Sequence, residues 1–389
     1  MSSTTAAHHP RKIDILAENL LHSKLFALLP GLFVTAFLAW LSIWLSKYIG
    51  VTILGFAKTP ISSVMTAILL GLLIGNIVTL PALLKPGITF AVKKMLRLGI
   101  ILLGIRLSVF DVFRLGALGV PIVLLCILSA LFFTTRLNKW LNLPERLGTL
   151  IAIGTSICGV SAIVATAPAI DAEDEEVAYA VAVITIFGIL ATLVYPYAAN
   201  VIFAGDPIKA GLFLGTAIHD TSQVTGAGLV FADLFSLPRA LDIATITKLV
   251  RNVFMAAVIP FMSLYYARRT TGDGEFAGKK PSFAKLFPLF IVGFLACAAL
   301  RSIGDAGINA GGDAFGLWHD AAWQDMYGLV KHWAVNFLVV ALAGVGLSTN
   351  FRTFKGLGVK PFIVGLGAAV AVGVVSIVSI FLLGTFVTF

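Results

Sequence analysis

Charge is what this chain has least of. Asp, Glu, Lys and Arg make up 12% of its 389 residues, against about 25% in an ordinary soluble domain. That shortage excludes a large soluble core with a solvated surface. Cysteine is scarce as well: Cys126, Cys158 and Cys297 lie far apart, without metal-ligand spacing. Neither a disulfide framework nor a metal centre is expected. The patterns H-E-x-x-H, G-x-S-x-G and G-x-x-x-x-G-K-[ST] are absent, which removes the sequence support for a zinc hydrolase, a serine hydrolase or a P-loop enzyme. We expect no enzyme activity and no cofactor.

Apolar residues are what remains, at 59% of the chain. They fall into eleven runs, at 28–47, 61–79, 88–106, 115–135, 148–169, 177–203, 209–235, 243–267, 286–303, 326–348 and 361–385. About 20 apolar residues cross ~30 Å of hydrocarbon, and inside lipid a helix pairs every backbone N–H and C=O within its own segment. The expected class is therefore an all-α polytopic membrane protein with about 11 transmembrane helices. A net charge of +9 suggests nucleic acid only until the positions are read. Arg268, Arg269, Lys279, Lys280 and Lys285 gather between runs eight and nine, and Asp171, Glu173, Asp174, Glu175 and Glu176 follow run five. Under the positive-inside rule the first group faces the cytosol and the second the opposite side, with a cytosolic N-terminus and an exofacial C-terminus. The lipid bilayer, not nucleic acid, is the expected partner. No small-residue cleavage site follows the first run, so it reads as a retained span. Residues 13–26 are amphipathic at helical spacing and fit a helix lying in the inner interface.

Weak internal echoes divide the chain further. Lys94-Met-Leu-Arg97 matches Lys248-Leu-Val-Arg251, and Gly71-x-x-x-Gly75 matches Gly211-x-x-x-Gly215. They suggest two five-helix units of opposite orientation, 61–205 and 206–389. In front of them stand a cytosolic segment (1–27) and an additional helix (28–60). Such inverted repeats place a substrate site at their interface near mid-membrane, on interrupted helices. A rival echo pairs Leu107-Ser108, Gly116 and Pro121 with Leu347-Ser348, Gly356 and Pro361, matching spans three and four with ten and eleven.

The polar side chains inside these runs carry the functional argument. Run five contains Gly154-Thr155-Ser156-Ile-Cys-Gly159-Val-Ser161. Glycines and small hydroxyl residues at mid-span weaken a helix, and a break would expose N–H groups that attract anions; close helix packing by small residues is the plainer reading. Run seven contains His219-Asp220-Thr221-Ser222-Gln223. Ionisable groups at that depth cost about 2.5–3.5 kcal/mol or more each, which makes them site candidates by default. Against this stand a satisfied structural His–Asp pair and a surface loop. Histidine suits proton exchange, so His219 with Asp220 is the candidate proton-linked switch. Arg97 and Arg251 enter from opposite faces to mid-depth and would supply bidentate donors for an oxyanion, with Lys94 and Lys248 one turn away and Asn252 beside Arg251. Lys94 is better read as snorkelling to the lipid surface.

These residues also carry a resemblance. Gly154-Thr-Ser-Ile-Cys-Gly159 followed by the acidic run, Leu214-Gly-Thr-Ala-Ile-His219-Asp220-Thr-Ser-Gln223-Val and Leu102-Leu-Gly-Ile-Arg106-Leu-Ser resemble the YeiH-like family of bacterial inner-membrane proteins, labelled as sulfate exporters. The match runs from about residue 60 to the C-terminus. It implies a bacterial inner-membrane location, a periplasmic C-terminus and kinship with the sodium/proton antiporters and bile-acid symporters. Those antiporters use paired intramembrane aspartates, whereas Asp220 is the one acid near the middle of a run here. The expectation is a secondary transporter exporting a small inorganic or organic anion (sulfate, sulfite or an organosulfonate), with proton coupling. Its site would comprise Thr155, Ser156, Gly159, Ser161, Thr221, Ser222, Gln223, Arg97 and Arg251. A cation/proton antiporter centred on Asp220 is the alternative. Short loops leave no partner-binding module, and a homo-oligomer in the membrane stays open.

Overall fold

The computed structural model describes residues 12–53, 62–270, 288–349 and 358–384. Among them every regular element is helical: α1 (Lys12–Lys47), α2 (Ser63–Ile77), α3 (Lys85–Phe90), α4 (Leu96–Leu103), α5 (Val109–Trp140), α6 (Glu145–Ser156), α7 (Val160–Thr166), α8 (Asp174–Ile202), α9 (Pro207–Ala217), α10 (Thr221–Phe235), α11 (Arg239–Val253), α12 (Met255–Thr270), α13 (Phe290–Asn309), α14 (Asp320–Ser348) and α15 (Val359–Leu383). Six of these are long and apolar enough to cross a bilayer, and α11 with α12, bent by 43°, makes a seventh. The all-α polytopic membrane class is the one expected. Lys279, Lys280 and Lys285 lie outside the described residues, as do the N-terminal eleven and the side chains of the amphipathic 13–25 segment.

Two of the eleven apolar runs take a different path from the one their length suggests. A methyl built on Gly154 would lie 2.8 Å from Ile163 Cδ1, so α7 folds back along α6. Arg146, at the start of α6, pairs with Glu173, beyond the end of α7, at 3.7 Å. A straight helix of that length would hold these ends about 40 Å apart at 1.5 Å per residue. The segment α6–α7 is therefore a re-entrant hairpin with its tip at Ile157–Gly159. The same holds for α9–α10. Methyls on Gly211 and Gly215 would meet Ile243 and Thr247 in turn, so α9 runs parallel to α11. Thr221 bonds Asn252 and Gly228 abuts Leu241, so α10 runs antiparallel to α11. Runs 148–169 and 209–235 thus dip in and return.

Helix α8 fixes how the hairpins relate. It spans 29 residues, with the open end of the first hairpin at its start and that of the second at its end. The hairpins therefore enter from opposite membrane faces. Caps at both junctions hold this arrangement. Glu173 and Glu176 form a capping box at the start of α8, and Asp206 accepts from the Ile208 and Lys209 amides, 2.9 and 3.2 Å, ahead of Pro207.

One expected placement changes as a result. Tyr266 near the end of α12 accepts from Arg146 Nε at 3.2 Å, so the end of α12 and the acidic run share a membrane face. The sequence reading put Asp171–Glu176 opposite the loop that follows α12; the fold-back of α7 returns it to the same side.

The helices pack in two groups, α1–α4 with α13 and α14, and α5–α12 with α15. In the first, small residues let backbones touch: methyls on Gly71 and Gly346 would each lie 2.5 Å from a carbonyl of the facing helix. Polar links between the groups include Arg106 to Asp242 at 2.6 Å, Ser62 to Asp233 at 3.0 Å and the Val109 amide to Ser302 at 2.8 Å.

Candidate functional site

The hairpin tips meet each other. A methyl on Gly159 would sit 3.1 Å from Asp220 Oδ2, so the tip of one hairpin rests on the tip of the other. Each break leaves the last carbonyls of its first helix without intrahelical partners, and two such ends buried face to face need donors. Helix α11 supplies them. Lys248 and Arg251, both fully buried, lie one turn apart on the same face.

Lys248 Nζ donates to Ile157 O at 2.7 Å, to Ile218 O at 3.1 Å and to His219 O. An ammonium has three N–H groups, and all three are used. Arg251 donates through Nε to Ser156 O at 2.6 Å, through one terminal nitrogen to Thr216 O at 2.5 Å and Ile218 O at 3.2 Å, and through the other to Thr155 O. The two cations thus pin the C-terminal ends of α6 and α9 together, where helix dipoles concentrate partial negative charge. Thr155 and Ser156 were expected to offer hydroxyls to an anion. Instead their carbonyls face Arg251, and Ser156 Oγ donates back to Ile153 O at 3.1 Å.

On the second hairpin, Asp220 caps α10. Its Oδ1 accepts from the Ser222 amide at 2.9 Å and Ser222 Oγ at 2.6 Å, and its own amide donates to Gln223 Oε1 at 3.0 Å. This capping box occupies Ser222 and Gln223. Gln223 also donates to Thr185 O of α8 at 3.3 Å, packing where any side chain on Gly188 would overlap it. Thr221 Oγ1 accepts from Asn252 Nδ2 at 3.1 Å. His219 points elsewhere: its ring is buried and no hydrogen bond to Asp220 exists among the described residues. The expected His–Asp couple is two separate groups.

The first hairpin tip is built differently. Gly159 has φ +61° and ψ −123°, a conformation open to glycine alone. No side chain caps α7, and Ser161 in its first turn is exposed while Asp220 across from it is half-buried. Three polar atoms around the tips are buried without partners: Thr155 Oγ1, His219 Nδ1 and Asn252 Oδ1.

The structure gathers Thr155, Ser156, Gly159, Asp220, Thr221, Ser222, Gln223, His219 and Arg251 around the tips, and Ser161 lies two residues from Gly159. Arg97 is not among them. It is exposed on α4, whose buried face is Leu96, Gly99, Ile100 and Leu103; the expected depth left its helical face undecided. Lys248 and Asn252, given supporting places by the sequence, are central. Gly188 was missed, since nothing in sequence marks one helical glycine as the seat of a glutamine amide.

Comparison with known proteins agrees with the motif resemblance. The model of the family described as Conserved hypothetical protein 698 matches residues 30–365. UPF0324 membrane protein FN0533 of Fusobacterium nucleatum is 32% identical over 319 residues, 82% of this chain and 89% of that protein. UPF0324 membrane protein SAG1125 of Streptococcus agalactiae is 32% identical over 357 residues, covering 92% and 98%. UPF0324 membrane protein Cgl0015/cg0018 of Corynebacterium glutamicum is 34% identical over 331 residues, covering 84% and 86%. No solved structure matches the chain.

Proposed function

We propose, starting from the fact that this chain belongs to the family described as Conserved hypothetical protein 698, the YeiH-like group of multi-pass membrane proteins, that it is a secondary transporter of a small oxyanion. One observation carries the reading: two hairpins entering from opposite faces meet tip to tip around two fully buried cations. A substrate held there needs only small movements to exchange contact with one face for the other, which is what alternating access requires. Lys248 and Arg251 bring positive potential to the tips while their hydrogen bonds hold the backbone. Ser161 and Thr221, at the first turns of α7 and α10, offer donors to sulfate, sulfite or an organosulfonate. With the N-terminus cytosolic, the first hairpin opens to the cytosol and the second to the periplasm, and export is the direction the family label favours.

The repeat boundary near residue 205 fits this reading. Each half contains one hairpin followed by a long traverse, α8 in the first and α11–α12 in the second. Matching hairpin to hairpin aligns α4–α5 with α14–α15, so the rival echo of spans three and four with ten and eleven is the pairing we adopt, with the second unit's elements in a shifted order.

The test is flux in proteoliposomes loaded with sulfate, sulfite or methanesulfonate. Saturable efflux that falls at least tenfold in Ser161→Ala or Thr221→Val supports the reading. Protein that refolds into liposomes and moves none of the three counts against it. A second reading, a cation/proton antiporter centred on Asp220, is favoured by one feature: Asp220 is the only acid at the tips and is half-buried rather than sealed. Cation-driven pH changes in the vesicles that vanish with Asp220→Asn would establish that alternative.

A further inference from the structure

The surroundings of Lys248 have the make-up of a metal-ion site. Its three partners, Ile157 O, Ile218 O and His219 O, are uncharged carbonyl oxygens from two separate chain breaks, and no side-chain acid bonds the ammonium. Two of the three, on Ile218 and His219, lie in the unwound stretch between α9 and α10, and the third follows the last residue of α6. Unwound carbonyls and half-helix C-terminal ends are the groups that coordinate sodium in transporters built on broken helices. Hard monovalent cations take oxygen ligands of this kind, and the dipoles of α6 and α9 favour a positive charge at this point. A second observation is independent of the lysine. Thr155 Oγ1, His219 Nδ1 and Asn252 Oδ1 remain buried and unpartnered around the same tips, so the cluster holds polar atoms that its two cations do not satisfy.

We propose that Ile157 O, Ile218 O and His219 O form a monovalent-cation site which the Lys248 ammonium fills from within, as a permanently tethered ion. The tips then close on a charge that the chain carries itself, and no cation from solution is needed for closure. Removing the side chain leaves the three carbonyls facing an opening of ammonium size, and a free cation enters it. This proposal concerns what holds the tips together and is independent of which substrate the protein moves.

The experiment uses full-length protein purified in detergent, as wild type, Lys248→Ala and Lys248→Met. Melting is followed by tryptophan fluorescence in choline, sodium, potassium, ammonium and methylammonium chloride at constant ionic strength. Lys248→Ala is expected to melt lower than wild type in choline and to regain at least half of that loss, saturably, in one of the small cations. Wild type shows no such dependence, and Lys248→Met, whose longer side chain blocks the opening, is destabilised without rescue. If Lys248→Ala is monodisperse and responds to no small cation beyond choline, or if Lys248→Met melts as wild type does, the proposal is overturned. Should Lys248→Ala fail to survive purification in choline, purification in ammonium chloride replaces the melt: recovery of monodisperse protein there supports the site, and equal loss in both salts overturns it. The readout involves no flux and no anion, so its failure leaves the transport reading untouched and the reverse also holds.

Discussion

The two hairpins do the same geometric job with different materials. The first turns on backbone: Gly159 takes a conformation with positive φ, α7 is seven residues long and lacks a side-chain cap, and Ser161 is exposed. The second turns on side chains: Asp220 and Gln223 close a capping box, Asn252 reaches Thr221, and α10 is buried through its first three turns. Lys248 and Arg251 join them from a third element and treat both alike, taking carbonyls from each. The contrast teaches that the second tip is a fixed seat, and the first a looser piece set against it and left open on one side.

Four substitutions break or sharpen that contrast. Arg251→Ala has the largest effect, since it strips both tips at once and leaves the carbonyls of Thr155, Ser156 and Thr216 without the guanidinium they bond. At about 1–3 kcal/mol for each buried orphaned group, we expect little monodisperse protein on size exclusion, and Arg251→Lys should recover only part. Next is Gly159→Ala, which forces a side chain into a glycine-only conformation against Asp220; about 1–3 kcal/mol is expected, read as a lower melting temperature. Asp220→Ala removes the cap of α10 and should cost about 0.5–2 kcal/mol. If Asp220→Ala proves more damaging than Gly159→Ala, the backbone-against-side-chain distinction fails. Smallest in stability is Ser161→Cys, expected within about 0.5 kcal/mol of wild type. It should react with a water-soluble maleimide in the folded protein, while Ser222→Cys, buried at 5% exposure, should not. Equal labelling of the two would erase the difference in access.

Much of this was legible in the sequence. The break at Gly154–Ser161 is marked by glycines and small hydroxyl residues at mid-run, His219–Gln223 stands out as a cluster of polar side chains but not as a break, and the depth of Arg251 follows from counting residues. The fold-back was not legible. Runs of 22 and 27 residues, 148–169 and 209–235, have the length of full spans, and hydropathy carries no record of the direction a chain takes after a break. Arg97 failed for a related reason: the Lys-x-x-Arg echo matched depth, but the apolar residues on every side of α4 did not say which face turns inward. Nor did residue type reveal that Arg251 and Lys248 bond carbonyls, because the partners are backbone atoms and any side chain carries the same ones.

A final consequence lies in where the two helix groups are stitched. Arg106 with Asp242, Ser62 with Asp233 and the Val109 amide with Ser302 all lie at the face where the second hairpin opens. The assembly is thus laced along one edge, like a book at its spine. If its halves swing apart, the mouth that gapes is the one on the first hairpin's side, and for the opposite mouth to open, those three fastenings have to be undone.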